Sequence, residues 1–201
     1  MTGGVQGGRP PRAGTGRTGA VLVGIGNSYR RDDGIGPAVA MALRELSPAD
    51  VAIVISDGEP AGLLEAWSGA QRAVLVDAVR GPAGFGPARP ATARPDTAIP
   101  GTESVPGRMH RSVLVPPPAA ATGTADDALA AASWAAPGSA SSHRMGIADA
   151  IRLAAAVDRL PGRLVVFGVE VNDIGFGPGL SPAVAAAIPG VVQAVLAEFA
   201  A

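Results

Sequence analysis

The chain has 201 residues, a formal net charge of −1 and no cysteine. Its balanced charge excludes the strongly basic surface that binding to nucleic-acid phosphates requires, and the lack of cysteine excludes disulfides, thiol nucleophiles and zinc–thiolate sites. All 16 basic residues are arginine, which excludes lysine Schiff-base chemistry. Hydrophobic residues make up 47% of the chain, enough to build the core of one domain.

The N-terminal segment is rich in Gly, Pro, Arg and Thr, so residues 1–18 are predicted to form a flexible tail. This segment lacks the apolar region of a signal peptide. No apolar run in the sequence approaches the about 18 residues of a membrane-spanning helix. We therefore expect a cytoplasmic protein without a membrane partner.

From residue 20 onward, short β-branched segments alternate with segments of helical periodicity. The strand segments are apolar on both faces, as in a parallel sheet covered by helices. Predicted strands are Ala20–Ile25, Val51–Ser56, Ala73–Val79, Met109–Val115 and Arg163–Val171, and predicted helices are Ile35–Leu46, Ala61–Trp67, Asp126–Trp134, Gly146–Val157 and Ser181–Phe199. This order predicts a single α/β domain over residues 19–201, a three-layer αβα sandwich with a twisted, mainly parallel central sheet.

Between about residues 81 and 139 the composition changes to Ala, Pro, Gly, Thr and Ser. No core periodicity continues through this stretch, which we interpret as a mobile low-complexity insert. Within it, the segments Met109–Val115 and Asp126–Trp134 alone keep a pattern of regular structure. His110 falls in this insert and is expected to lie outside the functional site.

Polar residues that follow the strands are the candidate functional residues, because ligands of parallel sheets bind beyond the carboxyl ends of the strands. Asp33 lies in GIGNSYRRDDGIG, directly after the first strand, and Asp77 lies near the end of the third strand. His143 opens the helix that follows the insert. If the first and third strands are neighbours, Asp33 and Asp77 flank one crevice.

Each of these residues also has a structural interpretation. Asp32 or Asp33 could cap the following helix, and His143 could be an ordinary polar cap. Asp77 is harder to explain in this way, since a buried carboxylate is costly unless it is paired or metal-bound. Two carboxylates and an imidazole together suit a divalent ion such as Ni²⁺, Zn²⁺ or Mn²⁺. A dinucleotide-binding fingerprint is excluded, because Tyr29 stands where its third glycine is required.

Five motifs in this order resemble the successive signatures of the [NiFe]-hydrogenase maturation endopeptidases. They are GIGNSYRRDDGIG, DGEPAG, VLVDAV, SSHRMGIADAI and GVEVNDIGFGPGLSP. The resemblance covers about residues 20–80 and 141–200, and it implies the same sheet between helices that the alternating pattern predicts. The long insert departs from the family pattern, and Asp33 stands where some members have Glu.

The resemblance also implies roles for individual residues. Asp33, Asp77 and His143 fall on the metal-ligand positions. Asp33 and Asp77, together with Asp57, are expected to be the catalytic carboxylates of an aspartic-type endopeptidase. Asn27 and Asp57 are expected to contact the substrate.

The implied reaction is hydrolysis of one peptide bond, which releases the C-terminal extension of the hydrogenase large-subunit precursor after nickel insertion. The expected metal is nickel, carried by the substrate, the expected partner is that precursor, and the enzyme is expected to be a monomer. Either the metal or a carboxylate would activate water.

Two other classes of function are compatible with the residues. The loop GIGN and the helix after it could form an anion site of a phosphate- or nucleoside-binding domain, although Asp32 and Asp33 would repel phosphate at that helix end. A non-catalytic, metal-sensing maturation chaperone would keep the crevice without cleaving its partner.

Overall fold

The order of the strands along the chain matches the predicted alternation. The computed structural model describes residues 19–46, 48, 50–80, 104–115 and 144–200. The elements in this part of the chain are β1 (Ala20–Ile25), a 3-10 turn (Arg31–Gly34), α1 (Ile35–Leu46), β2 (Val51–Ser56), α2 (Pro60–Trp67), β3 (Arg72–Arg80), β4 (Met109–Leu114), α3 (Arg144–Ala156), β5 (Arg163–Val171) and α4 (Pro182–Ala200). The predicted tail, the predicted helix Asp126–Trp134 and most of the predicted insert lie outside the described residues.

The five strands form one sheet in the order β2-β1-β3-β5-β4. β1 pairs in parallel with both β2 and β3, and β3 pairs in parallel with β5. β4 is antiparallel to β5 and forms one edge of the sheet. The predicted α/β fold with a mainly parallel central sheet is therefore confirmed, and so is the strand predicted inside the insert.

Helices cover both faces of this sheet, as the double-sided apolar strands require. On one face, α2 and α3 contribute Leu63, Trp67, Ile147 and Ile151 to a core with the odd-numbered residues of β1 and β3. On the other face, α1 and α4 pack against the alternate strand residues through a second apolar cluster. The two clusters make the protein a three-layer sandwich.

The C-terminal helix α4 is the one helix in the described ranges that is long and apolar enough to cross a membrane, with a mean hydropathy of 1.8. Length and composition alone are weak evidence, since core helices of globular proteins pass the same test. Val184, Val191 and Val195 of this helix are fully or almost fully buried in the apolar cluster that it shares with α1. Packing against α1 thus accounts for its apolar side.

Two glycines let α1 start directly against the sheet. A Cβ atom on Gly24 of β1 would lie 2.3 Å from the carbonyl oxygen of Gly36, and a Cβ on Gly36 would lie 2.2 Å from the carbonyl oxygen of Ile25 and 2.6 Å from that of Val76. These separations are far below van der Waals contact, so only hydrogen fits at either position. The first turn of α1 therefore crosses β1 and β3 at backbone distance.

Replacement of Gly24 by alanine should lower the free energy of unfolding by about 3 kcal/mol, because the added methyl group has backbone on the opposite side and must push α1 off the sheet. Chemical denaturation measures this change. The control is Gly62→Ala in α2, where a Cβ meets nothing within 4 Å, and which should stabilise the protein by about 0.5 kcal/mol. Equal effects of the two substitutions would contradict the close approach.

Candidate active site

The carboxyl ends of β1 and β3 lie side by side in the centre of the sheet. Their register runs from Ala20 opposite Arg72 to Gly24 opposite Val76, which confirms the neighbouring strands on which the sequence argument depended. From β1 the chain passes through α1 to β2, which lies on one side of β1. β3 lies on the other side of β1, and β5 follows beyond it. This reversal of strand order forms the crevice in which parallel sheets bind ligands.

Asp33 reaches this edge from the 3-10 turn between β1 and α1. Its side chain is buried, and its Oδ2 accepts a hydrogen bond of 2.9 Å from the backbone N–H of Asn27. The loop can fold back in this way because Gly26 has φ +138° and a Cβ there would lie 1.9 Å from the carbonyl oxygen of Asp33. The side chain of Asn27 accepts a hydrogen bond of 2.9 Å from the N–H of Tyr29, so Asn27 shapes the same loop.

Asp77 reaches the same edge from within β3. It is 2% exposed and lies directly opposite Gly168 of β5. The residue before it, Val76, has its carbonyl oxygen against Gly36 at the start of α1. Asp33 lies in the 3-10 turn just before α1. The fold therefore brings the segments that carry the two carboxylates together at the crossing of β1, β3 and α1.

The adjacent carboxylate of Asp32 has a structural task. It is 1% exposed and accepts two hydrogen bonds from Ser181, one of 2.6 Å from the backbone N–H to Oδ1 and one of 2.9 Å from Oγ to Oδ2. Ser181 directly precedes α4, so Asp32 fixes the start of that helix to the turn. The sequence predicted that Asp32 or Asp33 caps α1, whereas these hydrogen bonds of Asp32 go to the residue before α4.

Asp57 directly follows β2, the neighbour of β1 in the sheet, and is exposed. Its Oδ1 accepts a hydrogen bond of 3.2 Å from the N–H of Glu59, which closes a tight turn. The next residue, Gly58, touches the first turn of α3, because a Cβ on Gly146 would lie 2.2 Å from its carbonyl oxygen. The DGEPAG loop and the start of α3 are thus neighbours.

His143 lies outside the described residues, immediately before α3. Among the residues that the structure describes, no group of three His, Asp or Glu side chains is arranged to hold a metal ion. The described crevice offers carboxylate oxygens from Asp33 and Asp77, which are donors that divalent ions accept. The ligand set of Asp33, Asp77 and His143 stays a prediction.

Two functional candidates were missed in the sequence. Glu170 of β5 is fully buried, and its Oε1 lies 2.5 Å from Nε2 of His110 on β4. His110 was expected to lie outside the functional site as part of the low-complexity insert, but β4 pairs with β5 and carries its imidazole to a buried carboxylate. The signal was present, since an acidic residue in the apolar strand RLVVFGVEV is the same feature that singled out Asp77.

Comparison with known proteins supports the fold and the family. Residues 127–198 match the family model described as hydrogenase maturation protease. The hydrogenase maturating endopeptidase HybD from E. coli has a similar structure, with a TM-score of 0.60 and 20% identity over 90% of this chain and 91% of that chain. No match was found among curated protein sequences.

Two archaeal structures are similar to a comparable degree. The [NiFe] hydrogenase maturation protease HybD from Thermococcus kodakarensis has a TM-score of 0.56 and 19% identity, covering 90% of this chain and 99% of that chain. The hydrogenase 2 maturation peptidase from a Thaumarchaeota archaeon has a TM-score of 0.55 and 20% identity, covering 90% and 98%. At these identities the likeness shows a common fold.

The sandwich with buried carboxylates at the central strand crossing defines an α/β protein of the maturation-endopeptidase fold. Two of the five motifs, SSHRMGIADAI and GVEVNDIGFGPGLSP, lie within the residues that match the family model of the hydrogenase maturation proteases, and solved maturation endopeptidases share the fold of the chain.

The link between Asp32 and Ser181 can be measured by a double-mutant cycle. Asp32→Ala should lower the free energy of unfolding by about 3 kcal/mol, since it leaves the donors of Ser181 without a charged acceptor. Ser181→Ala should cost about 1.5 kcal/mol, and the double variant should cost little more than Asp32→Ala alone. Asp149→Ala, which removes an exposed pair with Arg152, should change stability by less than about 0.5 kcal/mol. Additive effects of the first two substitutions would argue against the link.

Proposed function

We propose that this protein is an aspartic-type endopeptidase that removes the C-terminal extension of a [NiFe]-hydrogenase large-subunit precursor after nickel insertion. The observation that carries the proposal is the placement of Asp33 and Asp77 at one crossing of strands and helix, in a chain that matches the hydrogenase maturation proteases. That match, over residues 127–198, supports a maturation endopeptidase role. The choice of the cleaved bond and the dependence of cleavage on nickel are also part of the proposal.

Carboxylates supply the chemistry that the missing nucleophiles cannot. The chain has no cysteine and no lysine, and the proposed attacking group is water, which an aspartate such as Asp33 or Asp77 can orient and activate. Burial of both side chains keeps bulk water from competing for them. Asp57 and Asn27, both exposed, are proposed to contact the precursor, with Asp57 also assisting catalysis.

Nickel enters this proposal as part of the substrate. Asp33, Asp77 and His143 would complete the coordination of an ion that the precursor already holds, and the ion would polarise the scissile carbonyl group. The role of the protein's own residues is to recognise the loaded precursor and to hold its C-terminal segment at the crevice. Cleavage would thereby depend on correct metal insertion.

The partner, the oligomeric state and the location of the enzyme are proposed on the same basis. The precursor is the partner, the enzyme acts as a monomer in the cytoplasm, and neither nucleic acid nor membrane takes part. The phosphate-binding alternative loses support, because Asp32 and Asp33 place two buried carboxylates before the start of α1. The chaperone alternative differs from the protease in one observable, the cleavage itself.

The decisive experiment is a mass measurement of precursor incubated with the protein, with and without nickel. The wild type should shorten the nickel-loaded precursor and leave the nickel-free precursor intact. Asp33→Asn and Asp77→Asn should each lower the cleavage rate at least about a hundredfold, whereas the exposed Asp149→Asn should match the wild type. Cleavage of nickel-free precursor at the same rate would refute metal sensing, and binding without cleavage would favour the chaperone.

Metal binding can be tested separately by calorimetric titration with Ni²⁺. Asp33→Asn, Asp77→Asn and His143→Ala should each weaken the affinity at least about tenfold, as expected for the loss of one ligand. Asp149→Asn is again the matched control, because its carboxylate lies on the surface of α3 beside Arg152. Unchanged affinity in all three variants would remove the metal site.

A further inference from the structure

Glu170 is a buried carboxylate that the proposed reaction has not used. Its side chain has no exposed surface, and its Oε2 accepts a hydrogen bond of 2.6 Å from the N–H of Val105 and a longer one of 3.4 Å from Oγ of Ser104. Its Oε1 lies 2.5 Å from Nε2 of His110 and 3.7 Å from the guanidinium of Arg108.

The contacts of the Glu170 carboxylate favour one form of the imidazole. The groups around the Glu170 carboxylate, a backbone N–H, a hydroxyl and a guanidinium, can all act as donors, so the carboxylate acts as the acceptor. Nε2 of His110 is then the protonated nitrogen, and in the neutral ring Nδ1 is the nitrogen that can accept a proton. A carboxylate that fixes the tautomer of a histidine in this way prepares it for proton transfer.

The register of the sheet places His110 on the same face as Asp77. Asp77 lies opposite Gly168, and Gly168 lies opposite His110, and residues directly opposite each other in a sheet share a face. Two strand spacings put the Cα atoms of Asp77 and His110 about 10 Å apart. Gly168 has no side chain, so no side chain of the central strand β5 stands between the aspartate and the imidazole at this position.

The next residue along β4 provides a structural contrast. Arg111 points to the opposite face and donates from Nε to Oε1 of Glu198 at 2.6 Å, while Arg163 lies 3.5 Å from Oε2 of the same carboxylate. Guanidinium groups do not give up their protons in proteins, so this second pairing can only hold α4 to the sheet. Adjacent residues of one strand thus carry two buried glutamate pairings, and one of the two contains a proton-transfer group.

We propose that His110 is a catalytic proton-transfer residue of the candidate active site and that Glu170 is its positioning residue. The inference rests on the proposed peptidase function and adds a group to it. As the water oxygen bonds to the scissile carbonyl carbon, one water proton passes to Nδ1 of His110. As the carbon–nitrogen bond breaks, that proton passes to the departing amine. His110 returns to its neutral form, and the second water proton remains on the new carboxylic acid until it passes to the released amine, so the products are a carboxylate and an ammonium group.

The test compares steady-state cleavage of nickel-loaded precursor by matched variants. His110→Gln keeps a donor for Glu170 but offers no base, and it should lower kcat about a hundredfold while KM changes less than about twofold. Glu170→Gln should lower kcat about tenfold, because the tautomer is no longer fixed. Glu198→Gln and Arg111→Ala should lower thermal stability and leave kcat unchanged.

A proton-transfer role is distinguished from a structural one by chemical rescue. Added imidazole should restore cleavage by His110→Ala, and the restored rate should vary with the pKa of a series of substituted imidazoles. Full kcat in His110→Gln, or a loss in His110→Ala that no imidazole restores, would overturn the assignment while cleavage by the wild type upholds the proposed function.

The tautomer of His110 can be determined without an activity assay. Nitrogen NMR of the wild type should show His110 protonated at Nε2, and Glu170→Gln should lose that preference; His143→Ala assigns the two histidine signals. An Nδ1-protonated His110 in the wild type would overturn the inference by itself. A wild type that cleaves no precursor would overturn both the proposed function and the role of His110.

Discussion

The close approach of α1 to the paired strands β1 and β3 is the constraint on which the rest of the site depends. Gly24 and Gly36 allow backbone to meet backbone there, so the turn before α1 ends directly above the edge where Asp77 lies. A side chain at either glycine would lift the turn and move Asp33 away from Asp77. The glycines of GIGNSYRRDDGIG therefore set the geometry in which the two candidate carboxylates are held.

The central sheet and the positions of Asp33 and Asp77 were accessible from the sequence because both rest on local signals. Apolar β-branched segments separated by helical periodicity predict parallel strands, and a lone acid in such a segment indicates either function or pairing. The distinct tasks of Asp32 and Asp33 were not accessible. They differ through contact with Ser181, about 150 residues away, and no local pattern encodes such a contact.

The pairing of His110 with Glu170 was likewise not accessible from local sequence patterns. β4 is an edge strand in a segment of low complexity, and its antiparallel register with β5 decides which residues meet. A shift of one residue would exchange the faces of His110 and Arg111 and separate both from their glutamates. The two matched pairings, one on each face, are themselves a reason for this register, since a buried glutamate without its partner would be strongly destabilising.

The bond between Asp32 and Ser181 also bears on the order in which the molecule acquires its structure. Ser181 follows Asp32 by 149 residues, so on the ribosome the turn that carries Asp33 cannot be fixed until the chain through Ser181 has emerged. Contacts this distant in sequence form late, because they close the longest loops. A chain that stops before Ser181 would thus lack this contact, and the turn that holds Asp33 would be without its anchor to α4.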